Sequence, residues 1–253
     1  MNRNRKLSKD YKSESNFLDG IIENFDNSGQ DFGNQDRNSL KLFEFNGKTI
    51  NVKSFKIPNV INQIAYRFFR KSKAHRSFEY ANKLIELQIG TPEPIAYYEF
   101  VTPFLFKNSY YISEHLPYDL TFRELTTDLN FPNHEDILRA FVQFTYTLHE
   151  KGINFLDHSP GNTLIQLNNG DYKFFLVDLN RMRFGSMDFN DRMKNLSRLT
   201  KQDELIKVMS DEYAKLYSVP FDEVYSKLWE CINTFQNKIK RKKELKKKLL
   251  FRK

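Results

Sequence analysis

A chain of 253 residues, 40% hydrophobic and with 24 Phe and 13 Tyr, is long enough for one large domain or two small lobes around an aromatic-rich core. Its one cysteine, Cys231, excludes an internal disulfide framework, fits a reducing compartment and reads as a small buried hydrophobe, while no run approaches the 18 apolar residues of a spanning helix and the polar start Met1–Lys6 has no apolar signal region. The net charge of +8 belongs to a tail: residues 238–253 carry ten Lys or Arg and one Glu, so the remaining residues sum to −1, which weakens any reading as a specific nucleic-acid binder.

Residues 1–15 are polar, basic and aperiodic, and read as disordered. Phe17 to Phe25 reads as a first strand. Two glycines four apart, Gly29 and Gly33, then suggest a flexible loop able to lie over phosphates, with an ordinary turn as the equal alternative; Arg37 follows as a tether or a phosphate contact. Leu40–Phe45, Asn46-Gly47 and Lys48–Phe55 form a hairpin, because Asn-Gly supplies the positive φ angles of a tight turn. Alternation on its second strand puts Lys53 on the face opposite Ile50 and Val52. After Pro58 come two helices, about 60–70 and 73–88; on the second, Phe78, Ala81, Leu84 and Ile85 make an apolar stripe that Glu79 borders. His75 reads as a surface or capping residue, and Glu86 as solvated. Strands at 95–101 and 109–114 lead to Glu114-His115-Leu116.

Residues 134–151 form an amphipathic helix, with Ile137, Phe141, Phe144 and Leu148 on one face and Gly152 as its cap. The stretch Phe155-Leu-Asp-His-Ser-Pro-Gly-Asn162 follows. Thr163–Leu167, the turn Asn168-Asn-Gly-Asp171 and the apolar run Phe174–Val177 read as a second hairpin, which returns its ends to one place. Asn162 at its start and Asp178 at its finish are thereby expected to be neighbours, with Asp157 five residues before Asn162. An Asp, an Asn and a second Asp converging suit a magnesium nucleotide: one acid accepts a hydroxyl proton and two oxygen donors hold the metal. Arg181–Phe184 and residues 190–199 make a short basic region suited to an anionic acceptor or to salt-bridged exposure. Helices are expected at 202–217 and 220–240.

The spacing D-x-x-x-x-N, a hairpin, then Asp after an apolar run resembles protein-kinase-like phosphotransferases. The wording Asp157-His-Ser-Pro-Gly-Asn-Thr-Leu and Val-Asp178-Leu-Asn-Arg-Met-Arg183 is more similar to the lipopolysaccharide core kinases, the Kdo/heptose group. Phe155-Leu156 stand where protein kinases have His-Arg, which argues against control by a phosphorylated activation loop; Leu179-Asn180 stand where they have Phe-Gly, Asn being tolerant of the left-handed conformation. The resemblance implies an α+β, two-lobed protein-kinase-like fold: disordered 1–15, an N-terminal lobe of antiparallel sheet plus helix at 16–115, a mainly helical C-terminal lobe at 116–237 and a basic tail at 238–253. It implies ATP and Mg2+ as cofactors, Asp157 as proton acceptor, Asn162 and Asp178 as metal ligands, and Lys53 steadied on the ATP phosphates by Glu79. It also implies the Gly29–Gly33 loop near the phosphates and backbone groups at Glu114 to Leu116 near adenine. The acceptor it implies is a sugar hydroxyl of the lipopolysaccharide core or another glycolipid, in a cytoplasmic enzyme. The charge of the tail 238–253, interrupted by Ile239, Leu245, Leu249, Leu250 and Phe251, suits contact with an anionic inner-membrane surface, with a solvated tail or non-specific nucleic-acid binding as the alternatives. A kinase for a protein or small molecule, and a non-catalytic binding module, are the alternatives.

Overall fold

The chain opens on a strand rather than on disorder. The computed structural model describes residues 2–33, 38–168 and 170–250; Arg37, Asn169 and the last three tail residues lie outside them. β1 (Asn2–Leu7) pairs antiparallel with β5 (Pro94–Val101), from Asn2↔Val101 to Leu7↔Ala96. Its cations are what a sheet edge tolerates, since charge there discourages further strand pairing. They are also used: Arg3 reaches Asp19 at 2.8 Å and Glu23 at 3.2 Å, and Arg5 pairs with Asp19. After a 3-10 turn, residues 17–25 are not a strand but α1 (Ser15–Glu23) and the turn after it. Leu18, Ile21, Ile22 and Phe25 are buried at helical spacing, so the period is 3.6 and not 2.

β2 (Gln30–Asp31), β3 (Asn38–Phe45), β4 (Lys48–Phe55) and β6 (Phe106–Glu114) complete an antiparallel sheet of order β1-β5-β6-β4-β3-β2. The β3–β4 turn is tight, with Asn46 and Gly47 both at positive φ. α2 (Val60–Phe68) starts at Asn59 and α3 (Lys73–Glu86) at Ser72, each side-chain oxygen accepting a first-turn N–H. α1 covers one face of the sheet, over Ile50, Val52, Ile95, Tyr98 and Ile112. α3 covers the other through Ala74 and Phe78, against Phe55 and Tyr97. Lys53 has the parity of Phe55 and faces the α3 side.

The chain divides into two units: residues 1–117 with 178–180, and 118–177 with 181–253. The first boundary falls at 117/118, against 115/116 from the sequence. In the second unit β7 (Leu120–Thr121) leads into α4 (Phe122–Thr127) through a capping box of Thr121 and Glu124. α5 (His134–Glu150), β8 (Ile153–Phe155), the hairpin β9 (Thr163–Asn168) and β10 (Asp171–Leu176), and β11 (Met182–Phe184) follow. α6 (Phe189–Leu196), α7 (Asp203–Tyr217) and α8 (Phe221–Leu250) close the unit. The core joins Phe122, Phe141, Leu196, Met209, Tyr213 and Leu228. Among the described residues the basic tail is not a separate piece, because α8 continues from the core through residues 238–250.

Gly152 fixes where the loop after α5 begins. Its φ is +65°, and a Cβ there would stand 2.6 Å from the Gly185 carbonyl oxygen, whose own N–H donates to Gly152 O at 2.9 Å. Gly152→Ala is expected to lower stability by at least about 2 kcal/mol, the left-handed cost plus a backbone clash. Gly170→Ala, also at positive φ but with nothing within 4 Å, should lose only about 1 kcal/mol. Urea unfolding of the two variants checks the difference.

Candidate active site

In the first unit Lys53 and Asp178 meet: Lys53 Nζ donates to Asp178 Oδ1 at 2.6 Å, and Asn180 Nδ2 donates to the same oxygen at 2.8 Å. The lysine side chain is 18% exposed and the carboxylate 35%, so the pair is partly shielded without being sealed. Lys53 also stands 5.5 Å from the centre of the Phe55 ring. The left-handed residue of this loop is Asp178 itself, at φ +58°, and not Asn180. Asn180 serves instead through its amide, holding the carboxylate that the strained backbone presents.

The expected Lys53–Glu79 pair is not formed. Glu79 Oε1 takes Lys71 Nζ at 2.6 Å and lies 3.4 Å from His75 Nε2. His75 precedes Glu79 by one helical turn, so the acid is satisfied along its own helix flank before it reaches across the sheet. His75 is no bare surface residue either: its ring stacks on Tyr97 at 4.4 Å.

Glu114 is tied inside the sheet. Its Oε1 accepts from Tyr11 Oη at 2.6 Å and Lys48 Nζ at 2.5 Å. Burial opposes the charge on Glu114, but these two donors outweigh it and hold its pKa below the ordinary value. Its backbone N–H donates to Glu93 O and that of His115 to Thr49 O, both at 2.9 Å, so these two amides are spent within the sheet. Half-buried Leu116 follows them. The Gly29–Gly33 segment is not a loose loop throughout: Gln30 and Asp31 pair with Leu42 and Lys41. Gly29, at φ +79°, is required because a Cβ would lie 2.5 Å from the Phe43 ring. Gly33 is at φ +67°, and a Cβ added there would meet nothing within 4 Å.

The second unit gathers Asp157 and Asn162. Asn162 Nδ2 donates to the Asp157 carbonyl at 2.8 Å, which leaves its amide oxygen for a cation. Asp157 Oδ1 accepts from Arg181 Nη1 at 2.8 Å. The β9–β10 register, Thr163↔Leu176, is continued by the N–H of Val177 donating to Asn162 O at 3.0 Å. Leu156 N–H donates to Arg181 O at 3.0 Å. Val177 and Arg181 are thus fixed, within the second unit, to the loop that carries Asp157 and Asn162. Arg198 also feels Asp157 and Arg181; burial and Arg181 lower its pKa while Asp157 raises it, and the net shift is down.

Beneath the loop is a network that the sequence did not disclose. Asn195 Nδ2 donates to Phe155 O at 2.8 Å, so its Oδ1 must be the acceptor toward His158 Nδ1 at 2.7 Å and His149 Nε2 at 3.1 Å. Each histidine therefore presents N–H to Asn195, and His149 Nδ1 accepts the Tyr213 hydroxyl at 2.8 Å. Both rings are fully buried, and the buried Nε2 of His158 has no hydrogen-bond partner. Burial lowers the His158 pKa to about 4 and that of His149 to about 3, against the opposing bonds to Asn195.

The family model of the lipopolysaccharide kinase (Kdo/WaaP) family matches residues 44–219, more than half of the chain. No curated protein sequence matches. Among solved structures, one titled "WaaP in complex with acyl carrier protein" is similar with a TM-score of 0.65, at 15% identity over 94% of this chain and 98% of that one. At that identity the likeness is one of fold, and the fold is the two-lobed mixture of antiparallel sheet and helices described above.

A histidine that must stay neutral in the folded state withdraws stability once the unfolded chain can take a proton. The contribution of His149 and His158 is full above about pH 6.5 and falls as pH drops toward 4. Between pH 7 and 5 each should cost about 2 kcal/mol. Urea midpoints across that range should show a steep fall in the wild type and a shallower one in His158→Gln.

Proposed function

The chain belongs to the lipopolysaccharide kinase (Kdo/WaaP) family and is a kinase of the lipopolysaccharide core, and from this we propose that it passes the γ-phosphoryl of ATP to a Kdo or heptose hydroxyl, with Asp157 as the proton acceptor. The observation that carries this reading is the loop itself: Asp157 keeps its carboxylate oriented by Arg181, and Asn162 is pinned to the Asp157 backbone. The acceptor hydroxyl gives its proton to Asp157 as its oxygen bonds to the γ-phosphorus. The bond from that phosphorus to the β–γ bridging oxygen breaks, and ADP leaves.

Asn162 in the second unit and Asp178 in the first are each an oxygen donor of the kind magnesium takes, and the metal when bound would neutralise charge on the phosphates. The residue set fits that metal. Among the described residues there is no cluster of three His, Cys, Asp or Glu to form an all-protein cage. Magnesium prefers one or two protein oxygens plus water and phosphate. Lys53, already against Asp178, serves the nucleotide phosphates without help from Glu79. Arg181, with Arg198 near it, favours an anionic acceptor, as a sugar acid or a phosphorylated core sugar would be. This supports a lipopolysaccharide sugar over a neutral small molecule.

Asp157→Asn should bind ATP and magnesium as the wild type does and turn over at least about a hundredfold more slowly, because the amide keeps the shape and cannot take the proton. Turnover with purified lipopolysaccharide as acceptor, beside ATP titration with and without magnesium, is the measurement; near-normal turnover would place the proton elsewhere.

The basic stretch of α8 is proposed to touch the anionic inner-membrane surface. Among the described residues no helix is long and apolar enough to cross a membrane. Residues 238–248 carry eight Lys or Arg and one Glu, and all but Ile239 are exposed. Each cation near such a surface contributes about 1 kcal/mol, within a Debye length. A chain ending at Asn237 should sediment less with anionic vesicles at low salt than the full chain, and equally at high salt.

A further inference from the structure

The helix α2 wears its amphipathic pattern inside out. Ile57, Val60, Ile61, Ile64 and Phe68 recur at helical spacing, and Phe69 follows; their exposures run from 42% at Ile64 to 82% at Phe69. Among the described residues, six of the thirteen exposed large apolar side chains thus lie within thirteen residues, which is a patch and not the ordinary scatter of a surface. The polar side of α2 is what faces the protein. Gln63 is buried and donates to Pro58 O, and Arg67 Nε donates to Thr102 O at 3.1 Å. Tyr66 lies edge-on to Phe106 at 5.5 Å. The turn that Arg67 holds adds Phe104, 75% exposed.

The charge of this segment is of one sign, with its Lys71 paired to Glu79 of α3. Residues 56–73 contain Lys56, Arg67, Arg70, Lys71 and Lys73 and no Asp or Glu. Arg67 lies over the Phe68 ring at 5.2 Å, its charge at the edge of the apolar face. An outward apolar face bordered by a cation-rich segment is the pattern of a helix lying in a bilayer interface, with side chains in the acyl boundary and cations among anionic headgroups. A second copy of this chain would bring like-charged borders together, so self-association is disfavoured.

We propose that α2, with Ile57, Phe69 and Phe104, is a membrane-docking face that inserts shallowly into an anionic lipid surface. This surface is in the first unit, is apolar at its centre and does not depend on the identity of the phosphate acceptor. It differs from the α8 extension, whose attraction is almost purely electrostatic and is removed by salt.

The test uses the full chain and vesicles of phosphatidylethanolamine with phosphatidylglycerol, beside vesicles of phosphatidylcholine alone, at low salt and at salt high enough to screen α8. The double variant Ile61→Ser, Phe69→Ser should bind the anionic vesicles at least about tenfold more weakly than the wild type at both salts, since two large apolar groups no longer enter the lipid. Its thermal unfolding should be unchanged, because both side chains are mostly exposed. Should that variant be destabilised, Val60→Ser, Phe104→Ser serves in its place. Equal vesicle binding by variant and wild type overturns the proposal. So does wild-type binding that is no stronger on the anionic vesicles than on phosphatidylcholine. Absence of vesicle binding with retention on an acidic protein also overturns it, assigning the face to a protein partner.

Discussion

One buried amide holds the working end of the second unit in shape. Asn195 on α6 accepts from histidines that follow it neither in sequence nor on its own helix, and donates to the carbonyl that closes β8. A carbonyl can only accept, so the amide has one orientation, and that orientation dictates the tautomer of both rings. Proton positions in the network therefore follow from a single backbone oxygen. His158 is the residue after Asp157, so the position of the carboxylate proposed as proton acceptor is inherited from this network. Such a network is tolerable only when nearly every member is satisfied. The His158 Nε2 is the exception, and its ring packs against Phe141 and Phe155, apolar surroundings in which a second proton would be costly.

The acids assigned to chemistry are each matched with a cation inside their own unit, Asp178 with Lys53 and Asp157 with Arg181. Both pairs are partly open to solvent, so neither is a deep electrostatic well. A weak pair has a use here. On the proposed function, a metal at Asp178 and phosphates near Lys53 would replace one favourable contact by two, and an anionic acceptor would take over Arg181 from Asp157. A sealed ion pair would resist that exchange. Glu79, committed to Lys71 and His75, contributes to the helix flank and leaves Lys53 to Asp178.

Local signals were the legible ones. Asn46-Gly47 specified its hairpin, the stripe of Phe78, Ala81 and Leu84 specified α3, and Asp157 to Asn162 is a turn short enough for its own residues to determine. Non-local satisfaction was not legible. The polar, cationic β1 gave no strand pattern because its order comes from β5 and from Asp19, and α1 was misread because Phe17, Leu18, Ile21 and Ile22 suit either element until the spacing is weighed. The Lys53–Asp178 bond spans 125 residues and the His149–Asn195 bond 46, distances over which sequence spacing carries no geometry. Both Asp and Asn tolerate the left-handed region, so the choice of Asp178 over Asn180 rests on packing.

The family match ends at residue 219, yet α8 runs on to Leu250. Its first half is anchored by Val224, Leu228, Cys231 and Ile232 in the core, and that anchored half supplies the helix nucleus. The second half only has to propagate, which lysine does well. Charge works against it: Lys238 and Lys242, Lys242 and Lys246, and Lys243 and Lys247 stand four apart and repel, offset by Glu244 before Lys248 and by the cations at the C-terminal end of the dipole. An anionic surface removes the repulsion without touching the other terms. If the proposed surface contact forms, helix propagation and surface binding in this segment would be coupled, each raising the other, and salt would weaken the surface attraction and the repulsion together.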